Sequence, residues 1–152
     1  MSRVTASVAV RASLAEVWEY YFDPAGWSAW VDGFARADSS MGYPEAGGTL
    51  RWSSGPAGRG TVTERVTAHE PRRLHTVEFD DPETTGRLTV TFGIDGEMTM
   101  VAQELDYRLR EGGVFAKLTD RLFIRSQMRG SLTRSLTRLK LEVEEVAAGT
   151  QA

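Results

Sequence analysis

Residues 60–79 read GTVTERVTAHEPRRLHTVEF, two runs of alternating apolar and polar residues on either side of HEPRR. A period of two places successive side chains on opposite faces of a strand, and a proline-centred polar break between two such runs is a turn signal. The stretch therefore reads as an antiparallel hairpin. A turn over Glu70 to Arg73 sets His69 opposite Leu74, Ala68 opposite His75, Val66 opposite Val77, Arg65 opposite Glu78 and Glu64 opposite Phe79. Directly opposed residues share a face. Val62, Glu64, Val66, Ala68, His75, Val77 and Phe79 fall on one side; the other holds threonines, His69, Leu74 and the Arg65–Glu78 charge pair. The first is the core face, because a one-residue slip would invert the sorting.

The next hairpin carries Asp95-Gly96, read as a type I′ turn. That turn sets Phe92 opposite Thr99, Val90 opposite Val101 and Leu88 opposite Gln103, with Arg87 against Glu104 outside. Leu88, Val90, Phe92, Ile94, Thr99, Val101, Gln103, Leu105 and Tyr107 then point inward. From Phe34 to about Leu109 the turn signals YPEAGG, SSGPAGRG and DDPETTG separate further short strands, so the whole region is a run of hairpins.

Outside that region the period changes. Val4, Ala6, Val8 and Val10 form an opening strand, and a Ser13/Glu16 capping box starts a helix with Leu14, Val17, Trp18, Tyr21 and Phe22 on one stripe. Asp23-Pro24 ends it, and GWSAWV, with Trp27 and Trp30, fits a second short helix. After Gly112 and Gly113, a stripe of Leu118, Leu122, Leu132, Leu136, Leu139, Val143 and Val146 predicts one helix of about 45–50 Å. Gly130 is a place for it to bend, and Gly149 a place for it to stop before a disordered tail from about residue 148. With no repeat or linker, residues 1–152 are expected to form one α+β domain.

A chain of 152 residues buries roughly 70% of its unfolded surface, enough for a core with a cavity in it. The net charge of -3 and the dispersed arginines give no electrostatic footprint for nucleic acid. No apolar run reaches the length of a membrane span and the first strand is not a signal-peptide core, so the expectation is a cytoplasmic protein. The absence of cysteine removes thiolate nucleophiles, iron–sulfur clusters and cysteine zinc sites. His69 and His75 point to opposite faces in the hairpin above, which argues against a two-histidine metal site, and no cofactor is expected. GPAGRG lacks the lysine and helix of a phosphate loop, and no serine sits in a nucleophile elbow.

What remains is a short set of polar groups on an apolar face: Glu64, His75, Thr99, Gln103 and Tyr107. A carboxylate there must be protonated, paired or in a wet cavity; otherwise Glu64 is a sheet-edge residue reaching solvent. Gln103 has hydrogen-bonding positions for a ligand or for internal water. His75, about 13 Å along the hairpin from Glu64, is a rim or core histidine more readily than a catalyst. Trp27, Trp30 and Trp52 are either core filler or cavity wall. Arg121, Arg125, Ser126 and Arg129 form either a solvated helix face or, with one arginine turned inward, a partner for Glu64 or an acidic ligand.

The opening strand, SLAEVWEYYFDPAGWSAWV, the GTVTERVTAHEPRRLHTVEF hairpin and the terminal SLTRLKLEVEE resemble the START/Bet v 1-like helix-grip superfamily, SRPBCC, and within it the polyketide cyclase/dehydratase branch. The resemblance implies a curved seven-stranded antiparallel sheet around the long C-terminal helix, two short helices after the first strand and a hydrophobic cavity between. It also implies a lipid-like, sterol, hormone or polyketide ligand. The expected walls are Trp27, Trp30, Trp52, Val66, Val77, Phe79, Leu88, Val90, Phe92, Thr99 and Val101, with Leu118, Leu122, Arg125 and Arg129 from the helix. A row Glu64, Phe79, Leu88, Gln103 would cross four strands over about 14 Å.

Two functions fit. One is a cyclase or dehydratase in which Glu64 works as general acid or base, Gln103 and Tyr107 orient a carbonyl, and His75 is a further candidate. The other is a carrier or sensor that binds an apolar ligand without chemistry. An interaction module built on the outer sheet face is disfavoured by its threonine- and charge-rich surface. The chain is expected to be a monomer or homodimer that takes a hydrophobic small molecule.

Overall fold

The computed structural model describes residues 1–56, 58–111 and 121–151. The alternating segments form strands β1 (Ser2–Val10), β2 (Phe34–Met41), β3 (Thr49–Ser54), β4 (Thr61–Glu70), β5 (Leu74–Asp80), β6 (Thr84–Asp95) and β7 (Met98–Leu109). The periodic segments form helices α1 (Leu14–Tyr21), α2 (Trp27–Trp30) and α3 (Arg121–Gln151). Every strand pairs antiparallel, in the order β1-β7-β6-β5-β4-β3-β2. This is the helix-grip architecture: a curved sheet with α3 packed along β1 and against α1 and α2.

Local chemistry explains the two short helices. Glu16 N–H donates to Ser13 Oγ at 3.2 Å, closing the expected cap of α1. Asp23 Oδ1 then accepts from Ala25 N–H at 3.1 Å and starts a 3-10 turn over Pro24–Gly26 that runs into the single turn of α2. Trp27 and Trp30 both come out buried, with Trp27 Nε1–H donating to Tyr21 O at 2.8 Å. The link after α2 is tied to α3 through Asp32. Its backbone N–H donates to Ser135 Oγ at 2.8 Å, and its carboxylate accepts from Ser131 Oγ at 2.9 Å and from Arg134 at 3.0 Å.

The first hairpin departs from the sequence reading at its tip. Below the tip the register is as expected: Glu64 faces Phe79, Arg65 faces Glu78 with a 2.8 Å ion pair, and Val66 faces Val77. Thr67 is then an extra residue, a β-bulge, and beyond it Ala68 faces Thr76, His69 faces His75 and Glu70 faces Leu74. The loop is one residue shorter than expected, Pro71 to Arg73, with Arg72 at φ 61. A bulge reverses the parity of every residue beyond it, so His69 shares the inner face with His75. The expectation that the two histidines point apart is corrected.

The β6–β7 register is corrected by two residues. Asp95 pairs with Met98 and the loop is Gly96-Glu97, with Gly96 at φ 61 in the first central position, the type II′ pattern. Phe92 therefore faces Val101, Val90 faces Gln103, Leu88 faces Leu105 and Arg87 faces Asp106. An even shift keeps the faces, so Val90, Phe92, Thr99, Val101, Gln103, Leu105 and Tyr107 are buried as expected; Ile94, near the hairpin tip, is 70% exposed instead.

On α3 the buried stripe is Ile124, Leu132, Leu136, Leu139, Val143 and Ala147. Leu122 and Val146 are exposed, since at 3.6 residues per turn Leu122 lies about 200° from Ile124 and Val146 about 100° from Ala147 around the helix. The helix has 31 residues, about 46 Å, and continues past Gly149. Leu118 lies outside the described residues.

Candidate functional site

Between the concave face of the sheet and α3 lies a cavity of about 340 Å³, within the range of small-molecule sites. Glu64, His75, Gln103 and Tyr107 all lie in its wall, and so do Trp27, Trp30, Trp52, Val77, Phe79, Leu88 and Val90. The remaining expected wall residues lie elsewhere. Val66, Phe92 and Val101 are buried away from the cavity, Phe92 against Trp18 and Tyr21. Thr99 donates its hydroxyl to Ala12 O at 2.7 Å, tying β7 to the start of α1. Leu122, Arg125 and Arg129 are exposed on the outer side of α3, which meets the cavity through Gln127, Met128, Ser131, Leu132, Arg134 and Ser135. The arginine that does reach the cavity from the sheet side is Arg59, from the SSGPAGRG turn.

The registers divide the polar groups into two rows. Glu64, Phe79, Gly86 and Tyr107 lie side by side on β4, β5, β6 and β7, while His69, His75, Val90 and Gln103 form a second row over the same strands. The expected row joining Glu64 to Gln103 is therefore replaced by two. Corrected pairing puts Tyr107 with the carboxylate and Gln103 with the histidines.

Glu64 Oε2 accepts from Trp52 Nε1–H at 2.8 Å. Burial pushes its carboxyl pKa up; the indole donor and the positive charge of Arg59 oppose that shift without cancelling it. Arg59 stands over Phe79 at 5.0 Å and Trp52 at 5.9 Å, cation–π distances, and is held there by Asp81 at 2.6 Å. Asp81 is buried but fully engaged, since Glu83 N–H, Thr84 N–H and Thr84 Oγ each donate to it at 2.8 Å. Desolvation also raises the phenol pKa of Tyr21 and Tyr43, and the nearby Glu64 charge adds to both shifts.

At the other row Gln103 Nε2 donates to Tyr21 OH at 2.9 Å, leaving Gln103 Oε1 buried with no hydrogen-bond partner among the described residues. Whichever way the amide is turned, one end of it is unmatched by the described residues. Trp30 Nε1 and His75 Nε2 are likewise buried and unpartnered among the described residues. Leaving such a group unsatisfied costs about 1–3 kcal/mol, so three of them around one cavity are a demand for polar atoms that the described residues do not supply. His75 Nδ1 lies 2.9 Å from His69 Nδ1. Among the described residues no group of three or more histidine or carboxylate side chains is placed to hold a metal.

The sequence reading missed Tyr21, Tyr43, Arg59 and the Asp32–Ser131–Ser135 cluster. Tyr21 carried the one available signal: a phenol on the buried stripe of α1 needs a partner for its hydroxyl.

A family model described as polyketide cyclase / dehydrase and lipid transport matches residues 1–144. No curated protein matches the chain. Among solved structures, a conserved protein from Geobacillus kaustophilus is similar over 95% of this chain and 96% of its own, with TM-score 0.78 and 14% identity. A protein from Thermus thermophilus is similar over 96% of this chain and 99% of its own, with TM-score 0.72 and 18% identity. DynU16, a protein in the dynemicin biosynthetic locus, is similar over 93% of this chain but 47% of its own, with TM-score 0.68 and 19% identity. At these identities the likeness is one of fold. Among the described residues no helix is long and apolar enough to cross a membrane.

Proposed function

The chain belongs to the polyketide cyclase / dehydrase and lipid transport family, and from that premise we propose that it binds a hydrophobic, carbonyl-bearing small molecule in the cavity and cyclises or dehydrates it by acid/base catalysis. One observation carries this reading: a carboxyl group with a raised pKa, Glu64, stands in the wall of an apolar cavity that also holds unpartnered polar atoms on Gln103 and Trp30. A raised pKa brings a carboxyl closer to neutral pH, where it can both take and return a proton. Glu64 would remove a proton next to a ligand carbonyl, or deliver one to a departing hydroxyl. Trp30 Nε1–H is a donor for a carbonyl, Gln103 Oε1 an acceptor for a hydroxyl, and Tyr107 ends Glu64's row. The aromatic walls would hold a flexible chain folded, so that its reacting carbons meet. The likeness to DynU16, from a biosynthetic locus, is consistent with a natural-product substrate.

The test uses an apolar β-dicarbonyl compound that can close to an aromatic ring. Glu64→Gln should lower turnover at least about 100-fold and leave affinity within a few-fold; equal turnover in both proteins removes Glu64 from the chemistry. A carrier is the second reading, favoured by the Trp52–Glu64 bond, which would let the acid serve as a fixed wall group only. Recovery of the compound unchanged after prolonged incubation with bound protein would select it.

A further inference from the structure

The bulge at Thr67 sets two imidazoles against each other. His69 and His75 are opposed across β4 and β5 with their Nδ1 atoms 2.9 Å apart. At that distance one Nδ1 carries hydrogen and the other a lone pair, so the rings hold complementary tautomers. His75 is 4% exposed, lines the cavity and has an Nε2 with no partner among the described residues, whereas His69 is half-buried. A single hydrogen bond thus joins a ring in the cavity wall to a ring that meets solvent.

The surroundings hold the pair in place and disfavour positive charge on both rings. From α1, Phe22 packs on His69 and His75 with ring centroids at 5.2 and 4.6 Å, and Trp18 packs on His69 at 5.1 Å. From the β2–β3 turn, Tyr43 packs on His75 at 5.6 Å; burial lowers the His69 pKa, and the Glu45 carboxylate opposes that shift without cancelling it. From β6, the residue beside His75 is Val90. Burial, and then the charge of His69, push His75 down to about 3, so His75 alone is a poor resting place for a proton. It is suited to passing one on.

We infer that His69 and His75 form a two-ring proton relay between the cavity and solvent, His75 Nε2 being the ligand-side atom and His69 the solvent-side ring. The relay begins with hydrogen on His75 Nδ1 and on His69 Nε2. His75 Nε2 takes a proton from a ligand O–H or activated C–H, whose bonding pair stays on the ligand. The Nδ1 proton of His75 passes to His69 Nδ1, and His69 releases its Nε2 proton to water. Both rings end neutral with exchanged tautomers, and the net change is one proton moved outward, with no oxidant or reductant. Run in reverse, the same pair supplies the proton that a departing hydroxyl needs. The use of this relay in catalysis rests on the acid/base reading given above.

Nuclear magnetic resonance of the full chain labelled with nitrogen-15 histidine tests it. The wild type should show one Nδ1–H and one Nε2–H ring, and the His75 ring hydrogen should exchange with water at least about tenfold faster than in His69→Gln, whose amide keeps a hydrogen bond but cannot pass a proton through. His69→Phe, which suits the aromatic surroundings, gives the same comparison should the glutamine variant not fold. Hydrogen on Nε2 of both wild-type rings, or equal exchange rates in wild type and variants, overturns the relay. Normal turnover in Glu64→Gln would overturn the catalytic reading and leave these resonances unchanged, so the two failures are separable.

Discussion

Trp52 donates its indole N–H to Glu64 Oε2 across 2.8 Å, and the face of the same indole lies under the Arg59 guanidinium. Three residues from β3, a turn and β4 thus set the charge of the one acid that β4 turns toward the cavity. Replacing Trp52 with Phe keeps an apolar ring and deletes the donor that favours the carboxylate. The pKa of Glu64 should rise further, and the acidic limb of a kcat/KM–pH profile should move to higher pH. An unmoved limb would mean that the indole does not control this carboxyl.

Glu64 binds its proton more tightly in the folded protein than in the unfolded chain, because burial raises its pKa. The stability linked to that proton is present below the ordinary carboxyl pKa and is lost as pH rises through the raised value. Glu64→Gln is free of that loss. Its melting temperature should gain on the wild type as pH increases from about 4 towards 8, a trend that calorimetry reads directly; a constant difference would place the carboxyl in a solvated site.

His75 has the opposite sign. Its folded pKa of about 3 lies below its ordinary value of 6.5, so the unfolded chain takes up the proton first on acidification. Stability linked to His75 is full above 6.5 and falls as pH drops toward 3. His75→Phe should flatten the acid limb of a stability–pH curve measured by urea unfolding. A limb of unchanged steepness would assign acid unfolding to other groups.

Gly86 stands between Phe79 and Tyr107 where β5, β6 and β7 run side by side. A Cβ there would lie 2.0 Å from Asp106 O and 2.9 Å from Tyr107 Cα, so the backbones must separate to admit it. Gly86→Ala should cost about 2 kcal/mol or more and disturb the Glu64 row. A urea midpoint equal to wild type would contradict the tight strand approach.

Most of the architecture was legible because period-two and period-3.6 patterns report directly on which face is buried. Trp52 beside exposed Arg51, and the Arg65–Glu78 pair outside Val66–Val77, are cases where alternation alone sufficed. The histidine pair was not legible, because Thr67 differs in no visible way from the other threonines of β4, yet its bulge reverses the parity of His69. The β6–β7 register moved by two for a related reason: Asp95-Gly96 and Gly96-Glu97 are both acceptable two-residue turns, and both leave the same face inward. Arg59 and Tyr43 were hidden in segments whose glycine and proline content reads as turn chemistry and is silent about where a side chain ends. On α3, that Arg134 lines the cavity while Arg125 and Arg129 do not follows from helix phase, which Ile124 and Ala147 settle and the leucines alone do not.

Everything proposed for this cavity turns on Glu64 as its acid/base group. The most direct measurement follows the Glu64 carboxyl by carbon-13 resonance against pH and compares its titration with the kcat/KM–pH profile for cyclisation of the β-dicarbonyl compound. The expected result is a Glu64 pKa above the ordinary carboxyl range, a rate profile with a limb at that same pH, and loss of the limb in Glu64→Gln. A Glu64 carboxyl that titrates at its ordinary value, or a limb that survives in Glu64→Gln, would contradict it.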